Sequence, residues 1–522
     1  MSEKKQRNIL AIGFVWLVII GALSAGYKFL LEPYLEGDLI SATGSDSQYS
    51  AEITLALDAF SGYAVFRSES MSRLLKQRGI KLELEDDGAD YESRMKSLKR
   101  GKVDLAVFTV DAFLYAGAKL GSYPASIVMA IDETVGADAI VAFKRETPTL
   151  QSLDRTQTRI VATPSSPSEF LARTMIATLS LPKLPERWLE EEDGAEKVFK
   201  RLRTADGEER NFAYVLWEPF VSKALDEDGV HVLLDSSKMK GYIVDVLVAN
   251  REFIRDHGDL VQATIESYMR AAWSYGQKPG GMVALVQSDA EATGSPLAEE
   301  EAKNIADGIQ WKNTLENYSH FGVIEDSAIQ LDSMEDIIAK VADVLVRTDA
   351  LEESPVDGNE STLYFRGFLE TLQRAGFHPG KKVDILDGVG PTTDDLDEVR
   401  SAVELPALSD KEWTALKTVA SMRVESIAFR RGTAEISEFS QAELDALARR
   451  FDSLPSYYMR VVGNARKEGD AAANKKLAED RADAVLSYLV ERGVDADRLR
   501  AVTGNSSGEA AEVSFVLGQK PY

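Results

Sequence analysis

The stretch IKLELEDDGADYESRMKSLKRGKVDLAVF, residues 80–108, decides the reading of this chain. IKLELE (Ile80–Glu85) has the alternation of a strand, and Tyr91–Lys99 has helical spacing. Gly101 follows, and VDLAVF (Val103–Phe108) is a second short apolar run. Strands separated by helical periods of this size form βαβ units and predict a mostly parallel sheet. Upstream, ITLAL (Ile53–Leu57) leads to an amphipathic stretch, Tyr63–Arg78, that ends at Gly79. Downstream the pattern restarts with RIVAT (Arg159–Thr163), then FAYVLW (Phe212–Trp217) and VHVLL (Val230–Leu234). DAIVAFK (Asp138–Lys144) lies between the two runs, and YIVDVLVAN (Tyr242–Asn250) follows them. The expectation is an α/β fold of two lobes joined by two long crossing strands, with a ligand cleft between the lobes.

With 522 residues the chain is too long for one ordinary core, so two or more folded units are expected. A composition of 44% hydrophobic and 28% charged residues is that of a globular protein and argues against wholesale disorder. A formal net charge of −25 argues against nucleic acid as a partner, because no basic surface would release phosphate counterions. The absence of cysteine excludes disulfides, thiolate metal sites, a cysteine nucleophile and a lipoprotein anchor. The four histidines, His231, His257, His320 and His378, are not paired at ligand spacing, so no metal is expected. No Ser/His/Asp array, P-loop or dinucleotide fingerprint can be assembled either. The chain therefore reads as a non-enzyme without a cofactor.

Ile9–Tyr27 (ILAIGFVWLVIIGALSAGY) is an uninterrupted run without charge. At about 1.5 Å per residue it nearly spans a hydrocarbon layer of about 30 Å, and Phe29–Leu31 extend it. Lys4, Lys5 and Arg7 precede it, whereas Glu32, Glu36 and Asp38 follow. This bias predicts a single-pass helix with a cytoplasmic N-terminus and the body outside. A cleaved signal peptide, cut near Ala22, Ser24 or Ala25, is the competing reading, but its apolar core would be shorter, about 7–15 residues. Glu32–Ser50 reads as a polar tether, roughly 25 Å end to end as a random coil.

Six segments carry a family resemblance: DAFSGYAVF (58–66), RGKVDLAVFTVDAFL (100–114), DETVGADAIVAFK (132–144), TPSSPSEFLART (163–174), YVLWEPFVSKAL (214–225) and GYIVDVLVANREFI (241–254). In that order they resemble the nitrate/sulfonate/taurine type of periplasmic solute-binding protein, over about residues 50–345. The resemblance implies a type II two-lobed binding fold for a small, often anionic solute, with the cleft lined by loops that enter helices. The matching positions are Ser61, Gly62 and Tyr63; Thr109 and Asp111; Thr163, Ser165, Ser166 and Ser168; and Trp217 and Glu218. Ser166-Pro167-Ser168-Glu169 is also a capping box with proline at the first helical position, so a helix starts there whatever its role. Some relatives of this type are enzymes that make a thiamine precursor, but their chemistry depends on a cysteine-rich motif that this chain lacks.

Leu363–Gly376 reads as an amphipathic helix, and residues 386–410 as a polar, turn-rich linker. Beyond it come SIAFRRGTAEIS (Ser426–Ser437), a capping box at Ser440–Glu443, and a helix with Leu444, Leu447, Ala448, Phe451 and Leu454 on one stripe. MRVVGNA (Met459–Ala465), a helix over Asn474–Arg492 and VSFVL (Val513–Leu517) complete a β-α-β-α-β order. Residues 411–522 resemble an OmpA-like peptidoglycan-associated domain, including Asn474, Leu477, Arg481 and Ala482 of its helix motif. In that family an aspartate fifteen residues before the arginine grips diaminopimelate together with it. Here Arg481 is kept, but Arg466 stands at the aspartate's place. The scaffold reads as retained and the peptidoglycan site as degenerate, with Glu468 or Asp470 as candidates for compensation.

The expected organisation is a cytoplasmic N-terminus and transmembrane helix (1–31), tether (32–50), solute-binding domain (51–385), linker (386–410) and OmpA-like domain (411–522). The expected function is a bacterial inner-membrane, periplasm-facing receptor for a small solute, serving a transporter or another inner-membrane partner. The alternative is a structural or assembly platform, or a peptidoglycan tether, that needs no small ligand.

Overall fold

The computed structural model describes residues 49–324, 331–381, 405–504 and 512–520. The expected transmembrane run, most of the tether and the linker up to Glu404 lie outside these residues. Among the described residues, no helix is long and apolar enough to cross a membrane.

The first lobe is built on a six-stranded sheet. Its strands are β1 (Ala51–Leu57), β2 (Ile80–Asp86), β3 (Leu105–Thr109), β4 (Ala125–Thr134), β10 (Val244–Asn250) and β11 (Ile309–Trp311), in the spatial order β11-β4-β10-β3-β1-β2. β1 runs parallel to β2 and β3, whereas β10 is antiparallel to β3 and β4. The second lobe holds β5 (Asp138–Phe143), β6 (Ile160–Ala162), β7 (Leu189–Glu191), β8 (Ala213–Trp217) and β9 (Val230–Asp235), ordered β7-β6-β8-β5-β9. Helices cover the sheets, so β3, β4, β5 and β10 are buried along their whole length.

Three details differ from the expectation. The chain crosses between lobes through short connections, 135–137 and 236–243, and not through long strands: β5 and β10 belong to different sheets. The stretch 63–78 is two helices, Ala64–Arg67 and Glu69–Gln77, because Ser68 turns extended and caps the second by accepting the Met71 amide at 3.2 Å. The 363–376 helix begins only at Gly367, since Tyr364 bridges to Ile127 as an extended residue first.

The C-terminal unit has a sheet ordered β12-β15-β13-β14, with β12 at Lys417–Ser421, β13 at Tyr458–Gly463, β14 at Leu499–Thr503 and β15 at Val513–Gln519. Helices Glu438–Asp452 and Ala471–Glu491 bury Leu444, Leu447, Phe451, Val485 and Leu489. Residues 426–437, expected as the first strand, form only an isolated bridge between Phe429 and Ile436. A tight turn, in which the Arg430 amide meets the Glu435 carbonyl at 2.9 Å, consumes that segment. The first helix is capped by Ser437, and Ser440 sits inside it, accepting the Ala428 amide at 2.8 Å.

This unit docks on the lobes. Met422 pairs with Leu179, the Ser180 amide donates to the Ser421 carbonyl at 2.8 Å, and the Arg423 amide donates to the Thr178 carbonyl at 2.7 Å. Ser453 holds a second contact: its carbonyl accepts the Lys240 amide at 2.9 Å and its hydroxyl meets Lys340 Nζ at 3.1 Å.

Candidate functional site

A cavity of about 280 Å³ lies on the seam between the lobes, just below the range of about 300–1,000 Å³ for ligand sites. Three helices present their N-terminal ends to it: Tyr91–Lys99 and Val110–Leu120 from the first lobe and Pro167–Thr178 from the second. The helix Met334–Arg347 packs on both lobes and closes one side with Leu345, followed by Ala350.

Each converging helix end carries a carboxylate of the chain. Asp90 caps the first, accepting the Ser93 amide at 3.0 Å and the Ser93 hydroxyl at 2.8 Å. Glu169, in the first turn of the third, accepts the Ser165 amide at 2.6 Å through one oxygen and Arg173 Nε at 2.6 Å through the other. Arg173 also donates to the Thr348 carbonyl at 2.9 Å. Asp111, in the first turn of the second helix, is 5% exposed, and its Oδ1 has no hydrogen-bond partner among the described residues. Burial pushes its carboxyl up to about 7; the Thr109 hydroxyl and the amides of residues 111 and 112 lie close enough to moderate that rise, and Glu169 adds to it.

Of the residues expected at the cleft, the cavity brings together Asp111, Ser165 and Ser166. The others are not among its lining. Tyr63 is buried in the first lobe and its hydroxyl donates to Asp245. Gly62 packs so tightly that a Cβ there would lie 2.4 Å from Asp132 Oδ2 and from Phe60, and its carbonyl accepts Trp311 Nε1 at 2.9 Å. Ser61, half-buried, belongs to the same short turn. Thr109 caps the second helix position without a side-chain bond to it. The Thr163 carbonyl accepts the Ser166 hydroxyl at 2.6 Å. Ser168 turns to β5, donating to Asp138 Oδ1 at 2.8 Å, and burial pushes the Asp138 carboxyl up to about 6. Trp217 stands opposite Asp138 in the β5–β8 register, and Glu218 takes the Ser222 amide at 3.1 Å and hydroxyl at 2.9 Å.

Sequence reasoning missed Tyr91, Tyr115, Phe170, Glu169 and Arg173 as lining. The Glu169–Arg173 spacing of four residues is a visible sign of an ion pair, beyond the place of Glu169 in the capping box. Behind the cavity lies a further acidic group. Asp132 and Asp245 face each other across β4 and β10; burial pushes Asp132 up to about 7, although the Asp245 carboxyl beside it moderates the rise, and burial, with the Asp132 charge adding to it, raises Asp245. Arg94, fully buried, pairs with Asp58 at 3.0 Å and with Asp87. Among the described residues, no group of three or more potential ligands could hold a metal ion.

In the C-terminal unit Arg466 is exposed, and Asn474 Nδ2 donates to its carbonyl at 3.1 Å and to the Glu468 carbonyl at 2.7 Å. Asp470 caps the 471–491 helix, accepting the amides of Ala472 and Ala473 at 2.9 and 3.0 Å. Arg481 lies over the Phe429 ring at 4.6 Å and donates Nε to the Thr433 carbonyl at 3.0 Å.

Topology defines a two-lobed α/β fold followed by a small α/β C-terminal unit. Residues 428–513 match the model of the OmpA family. Outer membrane protein P5 of Haemophilus influenzae is 34% identical over 88 residues, which cover 17% of this chain and 24% of that protein. The peptidoglycan-associated lipoprotein of Rhizobium meliloti (strain 1021) is 33% identical over 79 residues, 15% of this chain and 45% of that protein. The chain thus spans less than half the length of these curated relatives. Among solved structures, the periplasmic aliphatic sulphonate binding protein of Escherichia coli has 16% identity and a TM-score of 0.44, covering 60% of this chain and 92% of that one. The alkanesulfonate-binding protein of Xanthomonas axonopodis pv. citri, bound to MOPS, also has 16% identity and a TM-score of 0.44, with 61% and 99% covered.

Proposed function

We propose that this protein is a membrane-anchored, periplasm-facing receptor that closes its two lobes on a small solute and serves an inner-membrane transporter or signalling partner. The observation that carries the reading is the cavity on the lobe seam, walled by three helix ends and lined by Asp111, whose carboxyl Oδ1 has no partner among the described residues. A ligand that binds only the folded chain, at a hundred times its Kd, stabilises it by about 2.7 kcal/mol. In a chain of this size that is a shift of a few degrees or less. Thermal melting of the full chain in detergent with a panel of small ions and amino acids tests this. A panel without any shift favours the alternative, a ligand-free platform.

Anchoring is proposed to rest on Ile9–Tyr27, with the positive flank on the cytoplasmic side. The mature protein then keeps Met1 or Ser2 and stays with membranes through a high-salt wash. An N-terminal sequence starting near Ala25 would show a cleaved signal instead. For the C-terminal unit we propose a protein-facing role with little or no grip on diaminopimelate, since Arg466 replaces the acidic partner and Asp470 is committed to its helix.

A further inference from the structure

We propose that the seam cavity selects a small organic cation, an amine or quaternary ammonium, and not an anion. This rests on the solute-binding reading above and names its ligand class. A helix N-terminus attracts an anion, and three converge here. Each, however, already carries one of the chain's own carboxylates, from Asp90, Asp111 and Glu169. An incoming anion would be placed against them.

The two cations in the lining do not reverse this. Arg173 is paired with Glu169, and Lys96 Nζ lies 3.5 Å from Glu92 Oε2. Asp90 is spent on its cap. Glu92 is solvent-exposed and paired with Lys96, which leaves Asp111 as the buried carboxyl in the lining, with an Oδ1 that has no partner among the described residues. A buried carboxylate with one oxygen left without a partner is costly, and an ammonium supplied by a ligand in the cavity satisfies that oxygen. Tyr91, Tyr115 and Phe170 give aromatic surface around that point, which suits an organic cation more than a bare metal ion.

The pH dependence separates the two signs of ligand without any mutation. The groups that face Asp111 are Glu169 from the third helix, Tyr91 from the first and Asp245 from β10, with Lys96 and Arg173 farther along the lining. A cation needs Asp111 ionised, so its affinity falls as pH drops from 8 to 6. An anion would gain over the same interval.

The test is calorimetric titration of the detergent-solubilised full chain with choline, putrescine and L-arginine, set against methanesulfonate, sulfate and phosphate, at pH 6 and 8. One of the cations is expected to bind, more weakly at pH 6, and the isosteric Asp111→Asn variant is expected to bind it about tenfold more weakly or worse. Circular dichroism and the melting temperature of the unliganded variant check that it is folded. Binding of an anion and of none of the cations overturns the cation assignment and leaves the receptor reading standing. Cation binding that Asp111→Asn and pH leave unchanged overturns the site. No binding by either class at millimolar concentration overturns both readings.

Discussion

Glu169 Oε2 accepts the amide of Ser165 at 2.6 Å, holding a serine whose φ is +54°. A non-glycine residue in that left-handed region needs such support. The other Glu169 oxygen holds Arg173, so one carboxylate fixes both the turn and the cation. Glu169→Ala is expected to lower stability by about 1.5–3 kcal/mol, the range for charge-assisted hydrogen bonds. Adding Arg173→Ala should cost less than the sum of the single changes, because the partners share one interaction. Denaturant unfolding of the three variants reads this directly, and strict additivity would count against the pairing.

Stability should fall as pH rises from about 4 to about 7. Asp111 and Asp132 are pushed up to about 7 and Asp138 to about 6, from an ordinary value of 3.8. The folded chain therefore holds these protons where the unfolded chain has released them, and stability declines across that window. His320 runs the other way: burial above all pushes it down to about 4 from 6.5, and its contribution grows as pH rises between those values. Three carboxyls outweigh one imidazole. Asp132→Asn, which removes one member of the facing pair on β4 and β10, should flatten the slope and raise stability at pH 8 by on the order of 1–3 kcal/mol. Denaturant melts at several pH values check both the slope and its loss.

Gly62→Ala is expected to destabilise the first lobe by about 1–3 kcal/mol, the usual cost of forcing extra volume into a packed core. Its Cβ would lie 2.4 Å from Asp132 and Phe60. The glycine is needed for packing, so ligand affinity measured on the folded fraction should be unchanged. A stable variant that loses binding would return Gly62 to the ligand site.

The C-terminal unit is expected not to sediment with insoluble diaminopimelate-containing cell wall. Loss of one charge-assisted hydrogen bond costs about 1.5–3 kcal/mol, and 1.4 kcal/mol is already tenfold. Arg466→Asp should restore part of the binding, because Arg466 is exposed while Asn474 keeps its loop in place. Strong sedimentation of the unmodified chain that vanishes in Arg481→Ala would refute this, and loss in Glu468→Ala would locate the missing carboxylate.

The alternation of strands and helices was legible because it is written locally. Residues 80–108 contain a strand, a capped helix and a second strand, and all three are present. β4 was not read: ASIVMAIDET is buried on both faces, so it has no alternation, and its polar residues broke the apolar run. β14 was missed because LRAVT follows a helix directly after a single short turn. The cavity was legible only at Asp111, Ser165 and Ser166, which lie beside readable helix starts. Tyr91, Tyr115 and Arg173 reach it through the packing of helices far apart in sequence, which no local pattern records.

The docking of the C-terminal unit gives the cleft a lever arm. Met422 and Arg423 are laced to residues 178 and 179 of the second lobe, whereas Ser453 is tied to Lys240 in the inter-lobe connection and to Lys340 on the helix that spans both lobes. A rotation of one lobe against the other cannot leave both attachments unstrained. If the seam cavity takes a solute as proposed, its occupancy and the orientation of the C-terminal unit become two readings of a single angle, and a contact made to this unit from outside would sense, or set, the state of a pocket it never touches.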